Sequence, residues 1–107
     1  MTSTDTQKTS RFGPMEVEDW VAVDWGAVRA QFSIRFASGI VIREFCIVKS
    51  GDRRWIGLPQ RSYKDEWGER QYVDLAKFDS RQAYEDFQRE ALAAVNCFLA
   101  ETGQDAP

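Results

Sequence analysis

Nine consecutive residues, Val28 to Phe36, alternate without a break. Val28, Ala30, Phe32, Ile34 and Phe36 are apolar, and Arg29, Gln31, Ser33 and Arg35 between them are polar. Side chains along a strand stand on opposite faces in turn, so a period of two over this length specifies an extended segment with one buried face. A helix would scatter the same five apolar side chains around its axis. Arg29 and Arg35 are expected together on the open face. Ser38-Gly39 then reads as a tight hairpin turn that returns the chain alongside itself. A one-sided antiparallel sheet is therefore the frame for the remaining segments.

Upstream, Trp20 to Trp25 is a short run rich in strand formers, broken by Gly26-Ala27. Downstream, Ile40 to Lys49 is apolar on both parities: Ile40, Ile42, Cys46 and Val48 on one, Val41, Phe45 and Ile47 on the other. Only Arg43 and Glu44 interrupt it. A strand apolar on both faces is central, or a partner covers its second face. The turn Ser50-Gly51-Asp52 leads to Arg53–Leu58, whose apolar run Trp55-Ile56-Gly57-Leu58 is closed by Pro59. Trp55 and Leu58 are expected to be its buried anchors. Gly57 leaves a gap where a side chain would stand, the sign of a bulge or of a close approach by another group. Arg61 to Glu69 reads as a loop, and Gln71 to Phe78 alternates again.

Asp79, with Gln82 three residues on, resembles a capping box. Tyr84, Phe87, Ala91, Val95 and Phe98 follow at helical spacing, with Arg81, Glu85, Asp86 and Arg89 opposite, and Gly103 is placed to end the helix. The expected fold class is α+β: an antiparallel β-meander of about five strands followed by one C-terminal helix packed on the sheet. Residues 1–18 are expected as a flexible N-terminal arm, 19–101 as the domain and 102–107 as a disordered tail. One helix covers part of such a sheet, so its open face or edge is expected to meet a second copy or a ligand.

The composition narrows the chemistry. The chain has no histidine, which removes the commonest general base and metal ligand. Its two cysteines, Cys46 and Cys97, are far apart and make no Cys-x-x-Cys pair. They are expected as buried free thiols in a reducing cytoplasm. No Gly-rich phosphate loop or nucleophile–base set is present, and Asp65-Glu66 reads as a solvated pair. The expectation is a non-enzyme without cofactor or metal, carrying neither a membrane-spanning run nor a secretory signal.

The net charge of −3 is unevenly placed. Residues 29–81 carry eleven basic and seven acidic side chains, whereas residues 82–107 carry one and five. A basic centre between acidic ends speaks about partners rather than fold. Within it, Arg61 and Lys64 are interleaved with Tyr63 and Trp67. Interleaved cations and aromatics hold nucleic acid in many loops, and a solvated hairpin has the same composition. On the first reading Arg29, Arg35, Arg53, Arg54, Arg61, Lys64 and Arg70 contact phosphates, while Tyr63 and Trp67 stack on bases. A second reading, favoured by the acidic balance, is a protein-interaction module whose open sheet edge pairs with a partner strand.

The segment Val41-Ile42-Arg43-Glu44-Phe45, then Trp55-Ile56-Gly57-Leu58-Pro59-Gln60-Arg61 and Gly68-Glu69, resembles the stage V sporulation protein G (SpoVG) family of septation regulators. The similarity runs from about Val28 to Val95. It departs from the family pattern at Tyr72-Val73-Asp74-Leu75, where the family leads to a His-Pro pair, in the acidic helix and in the N-terminal arm. The resemblance implies a small homodimer that binds DNA or RNA and acts as a regulator. Strands followed by a helix, with basic and aromatic residues on the sheet, are also similar to the positive-cofactor-four type of single-strand binder.

Overall fold

The computed structural model describes residues 10–107. Six strands precede one helix: β1 (Met15–Trp25), β2 (Val28–Phe36), β3 (Val41–Ser50), β4 (Arg53–Gly57), β5 (Gln60–Lys64), β6 (Arg70–Asp74) and α1 (Arg81–Thr102). Strands β1 to β4 form an antiparallel sheet in chain order, and β5 and β6 form a separate two-stranded hairpin. The architecture is the expected α+β meander with a C-terminal helix, divided into two sheets.

Alternation on β2 does what its pattern requires. Ala30, Phe32 and Ile34 are buried, and they meet Phe45 and Ile47 of β3, Ile56 of β4 and Val17 of β1 beneath Phe87, Ala91, Val95 and Leu99 of α1. Trp20 stands between Phe32 and Phe98, with ring centroids 5.4 and 5.5 Å away, and Phe45 meets Phe87 at 5.7 Å. Aromatic contacts of this kind add to the stabilisation that burial alone provides.

The charged pair in β3 is a bulge. Phe32 pairs with Phe45 and Ile34 with Ile42, so two steps along β2 oppose three along β3, and Glu44 takes a φ of 68°. The extra residue reverses parity. Ile42 thereby packs on the same core as Phe45 and Ile47. The strand is apolar on both faces as expected, but the division is corrected: Ile42 joins Phe45 and Ile47 on the core face, and Val41, Cys46 and Val48 stand on the other. In β1 a second bulge at Asp19, φ 55°, brings Trp20 to the core side after Val17.

Helix α1 starts one residue later than expected. Ser80, not Asp79, is the N-cap, its Oγ accepting from the Ala83 N–H at 3.0 Å. At the other end Gly103 is left-handed with φ 73°, its N–H directed to the Ala100 carbonyl while the Gln104 N–H bonds to Leu99, which closes the last turn.

Met15–Glu18, expected within the arm, are the first residues of β1. Residues 10–12 are tied to the middle of α1; residues 1–9 of the arm lie outside the described residues. The Glu90 carboxylate accepts from the Arg11 and Phe12 N–H groups at 2.6 and 3.0 Å, and Arg11 Nε meets Asp86 at 2.9 Å. Phe12 packs edge-on against Phe87. Arg11, Gln82 and Arg89 together hold the Asp86 carboxyl down at about 2. An unfolded aspartate titrates near 4, so the folded protein gains stability from this site above that pH and loses it as pH falls towards 2. A pH series of melting temperatures is expected to drop across that window. In Asp86→Asn the drop there is expected to be shallower, and an identical acid limb in the variant would rule the site out.

Candidate nucleic-acid interface

Pro59 ends the main sheet, and the chain leaves as the β5–β6 hairpin. Its closing turn is organised by Asp65, whose Oδ1 accepts from the Trp67 and Glu69 N–H groups, both at 2.9 Å, while Oδ2 accepts from Gln71 Nε2. The Glu69 N–H, with the other two donors, holds the Asp65 carboxyl below the usual carboxylate range. Gly68 supplies the φ of 80° that the turn requires. Below it the rungs are Lys64–Arg70, Tyr63–Gln71, Ser62–Tyr72, Arg61–Val73 and Gln60–Asp74. Directly paired residues share a face, so Lys64, Arg70, Ser62 and Tyr72 lie on one side and Arg61, Tyr63, Gln71 and Val73 on the other.

The hairpin stands away from the body. The radius of gyration is 15.4 Å, against about 13 Å for a compact chain of this length, and the longest dimension is 59 Å. Trp67 is 77% exposed, Tyr72 62% and Tyr63 52%, so the hairpin's aromatic rings are open to contact. The side bearing Ser62 and Tyr72 faces the open side of the main sheet across a cleft of about 440 Å³. Trp25, Gln31 and Glu44 form the sheet wall, Gln60, Ser62 and Tyr72 the hairpin wall, and Cys46 and Leu58 line it as well.

The structure brings together Arg61, Tyr63, Lys64, Trp67 and Arg70 on this arm. Among the described residues none of the arm's cations is in an ion pair; Arg70 Nη1 donates to Ser62 Oγ at 2.9 Å. The carboxylates Glu66 and Glu69 sit at the turn, so the cationic part of the arm is its strands. Arg53 lies on the open side of β4 with its guanidinium 5.9 Å from the centre of the Trp55 ring.

The remaining sequence candidates are elsewhere. Arg54 is on the helix side of β4, its Nη2 donating to Asn96 Oδ1 at 2.8 Å, because neighbouring residues of a strand point to opposite faces. It therefore does not share a face with Arg53. Arg35 is held in a two-pronged ion pair by Glu18, which raises its pKa further and offsets its charge. A register shift between Val28 and Ala30 separates Arg29 from Arg35. Arg29 instead lies near Trp20, Asp24 and Asp105, beyond the end of α1. Sequence reasoning missed Tyr72, Gln31, Gln60 and Glu44. The charged interruption of β3 was a signal for Glu44; the other three carried none.

Gly57 is filled from across the sheet: a Cβ there would sit 2.5 Å from Cys46 Sγ. Burial pushes the Cys46 thiol up, which keeps it protonated and unreactive. Cys97, expected to be buried, is exposed; both cysteines are free thiols. Gly57→Ala is expected to cost about 1–3 kcal/mol, and adding Cys46→Ala to recover most of it. Urea midpoints check this; equal midpoints for the single and double variants would place the cost elsewhere.

The β4 edge is closed at its centre. Gln88 of α1 accepts from the Ile56 N–H at 2.8 Å and donates to the Ile56 carbonyl at 2.9 Å. No protein-family model matches this chain, and no curated protein matches it in sequence. No helix among the described residues is long and apolar enough to cross a membrane.

Proposed function

We propose that this chain is a small nucleic-acid-binding regulatory protein of the SpoVG kind, acting as a homodimer in the cytoplasm and holding DNA or RNA on its hairpin arm. The observation that carries this reading is the last rung of the hairpin. Lys64 and Arg70 are direct cross-strand partners, and among the described residues neither is in an ion pair. Like charges placed opposite one another destabilise a sheet pair, and a phosphate between them relieves that repulsion. The exposed rings of Tyr63, Trp67 and Tyr72 supply surfaces on which bases stack. The resemblance of the β3–β4 region to SpoVG points the same way. A two-stranded hairpin is marginal alone, and this one exposes Val73, with Leu75 exposed just beyond it; a second copy of the chain is the symmetric way to cover it.

Strand addition to a partner protein is the weaker reading. Gln88 occupies the middle of the β4 edge, and β1 carries two irregularities with Asp19 and Asp24 exposed. Natural sheets discourage edge pairing in these ways. Fluorescence polarisation of labelled single- and double-stranded oligonucleotides between about 50 and 200 mM salt tests the proposal. Affinity is expected to fall linearly on a double-logarithmic plot. Unchanged polarisation with every oligonucleotide, even at the lowest salt, rejects binding, and a monomeric mass by light scattering rejects the dimer.

A further inference from the structure

We infer that the cleft between the main sheet and the hairpin is a base pocket: it takes one unpaired nucleobase with adjacent N–H donors, guanine above the others, from a single strand whose phosphate rests on Lys64 and Arg70. The inference rests on the nucleic-acid reading above and adds to it a strand preference and a base preference.

Four features of the cleft support it. Its volume of about 440 Å³ lies within the range of small-molecule sites. Trp25 and Tyr72 line it from opposite walls and are 59% and 62% exposed, so both rings have surface free to stack on a base. Glu44 is on the sheet wall because of the β3 bulge. It is a non-glycine residue at φ 68°, a conformation that costs energy and tends to occur at functional sites. Among the described residues its carboxylate has neither a hydrogen-bond donor nor a cationic partner. Finally, Ser62 on the hairpin wall is bonded to Arg70, which places a guanidinium beside the cleft while Glu44 lies across from it.

The polarity of the cleft then selects its occupant. A carboxylate accepts hydrogen bonds and repels phosphate, so the backbone stays with Lys64 and Arg70 and the base turns inward. Guanine offers N1–H and the N2 amino group side by side, a match for both carboxylate oxygens. Cytosine and adenine offer one amino group each. Thymine and uracil offer one N–H between two carbonyls that a carboxylate repels. Guanine's remaining edge presents the acceptors O6 and N7, which the amide N–H groups of Gln31 on the sheet wall are placed to meet; Gln60 Nε2 on the hairpin wall already donates to Asp74. A duplex keeps this base edge paired, so the site requires a single strand.

Three labelled strands of about 12 nucleotides test the inference: all thymidine, and the same with one central deoxyguanosine or one central deoxyinosine, which lacks the N2 amino group. The guanine strand is expected to bind about tenfold tighter than the thymidine strand, with inosine between them. Glu44→Gln is expected to erase that order and leave the salt slope unchanged, and Tyr72→Ala to weaken the guanine strand most even if the Glu44 variant does not fold. Equal, salt-dependent affinity of the wild type for all three strands overturns the base pocket and leaves the proposed function standing. No binding to any strand overturns both.

Discussion

Ile56→Ala is expected to be among the most damaging single truncations, lowering stability by about 2–5 kcal/mol. That is a large part of the roughly 5–15 kcal/mol by which a domain is normally stable. Ile56 is 2% exposed and pairs directly with Ile47, which is fully buried. Its backbone is clamped on both polar groups by Gln88. A clamped strand cannot sink into the space the side chain vacates, so the cavity persists and its cost is added to the lost burial. Trp55 is one residue away on the open face and only half-buried, with Arg53 against its ring. Trp55→Ala is therefore expected to lose less, despite removing more atoms. Leu58 is intermediate, partly buried against the core and partly lining the cleft. Urea unfolding of the three variants gives the order directly. A Trp55 variant weaker than the Ile56 variant would mean that the open face is covered, as it is when a second copy lies on it.

That inversion shows what the sequence could reveal. Trp55-Ile56-Gly57-Leu58 is apolar throughout, so periodicity is silent about which side is the core. Only the pairing of Ile56 with Ile47 assigns it. Strand β2 was legible because its core face is apolar and its open face polar, with no bulge between Ala30 and Phe32. Helix α1 was legible for the same reason at a period near 3.6. Strand β3 was misread because one extra residue at Glu44 exchanges its faces, and a bulge leaves no hydrophobic signature beyond the charged pair itself. Strand β5 was invisible. Gln60–Lys64 are all exposed and, Tyr63 apart, polar, held by backbone pairing to β6, and backbone pairing carries no side-chain pattern. Asp79 and Ser80 are both good caps, so composition did not choose between them. The candidate site was legible as a set of basic and aromatic residues around Arg61. Its division into two faces, with Lys64 and Arg70 on the cleft side and Arg61 and Tyr63 on the other, followed only from the register.

The register also yields the prediction that bears most on function. Lys64→Ala with Arg70→Ala is expected to weaken binding to every oligonucleotide by on the order of tenfold, since contacts to charged groups are the stronger hydrogen bonds. Two lost phosphate contacts should also flatten the salt slope by about 0.7–0.9 per contact. Stability is expected to move the other way or not at all. Among the described residues neither cation on the last rung is in an ion pair, so their removal relieves repulsion at a rung that the Asp65 carboxylate holds closed by accepting from the Trp67 and Glu69 N–H groups. A cationic pair kept for folding has the opposite signature, a lower melting temperature with binding unchanged. Arg61→Ala, alone, reports whether the outer face of the arm also touches the strand. Arg81→Ala with Arg89→Ala is the control, because both residues are committed to carboxylates on α1. If the Lys64/Arg70 variant binds as tightly as the wild type with the same slope, the arm is a solvated hairpin, and a protein partner becomes the better account of its exposed aromatic rings.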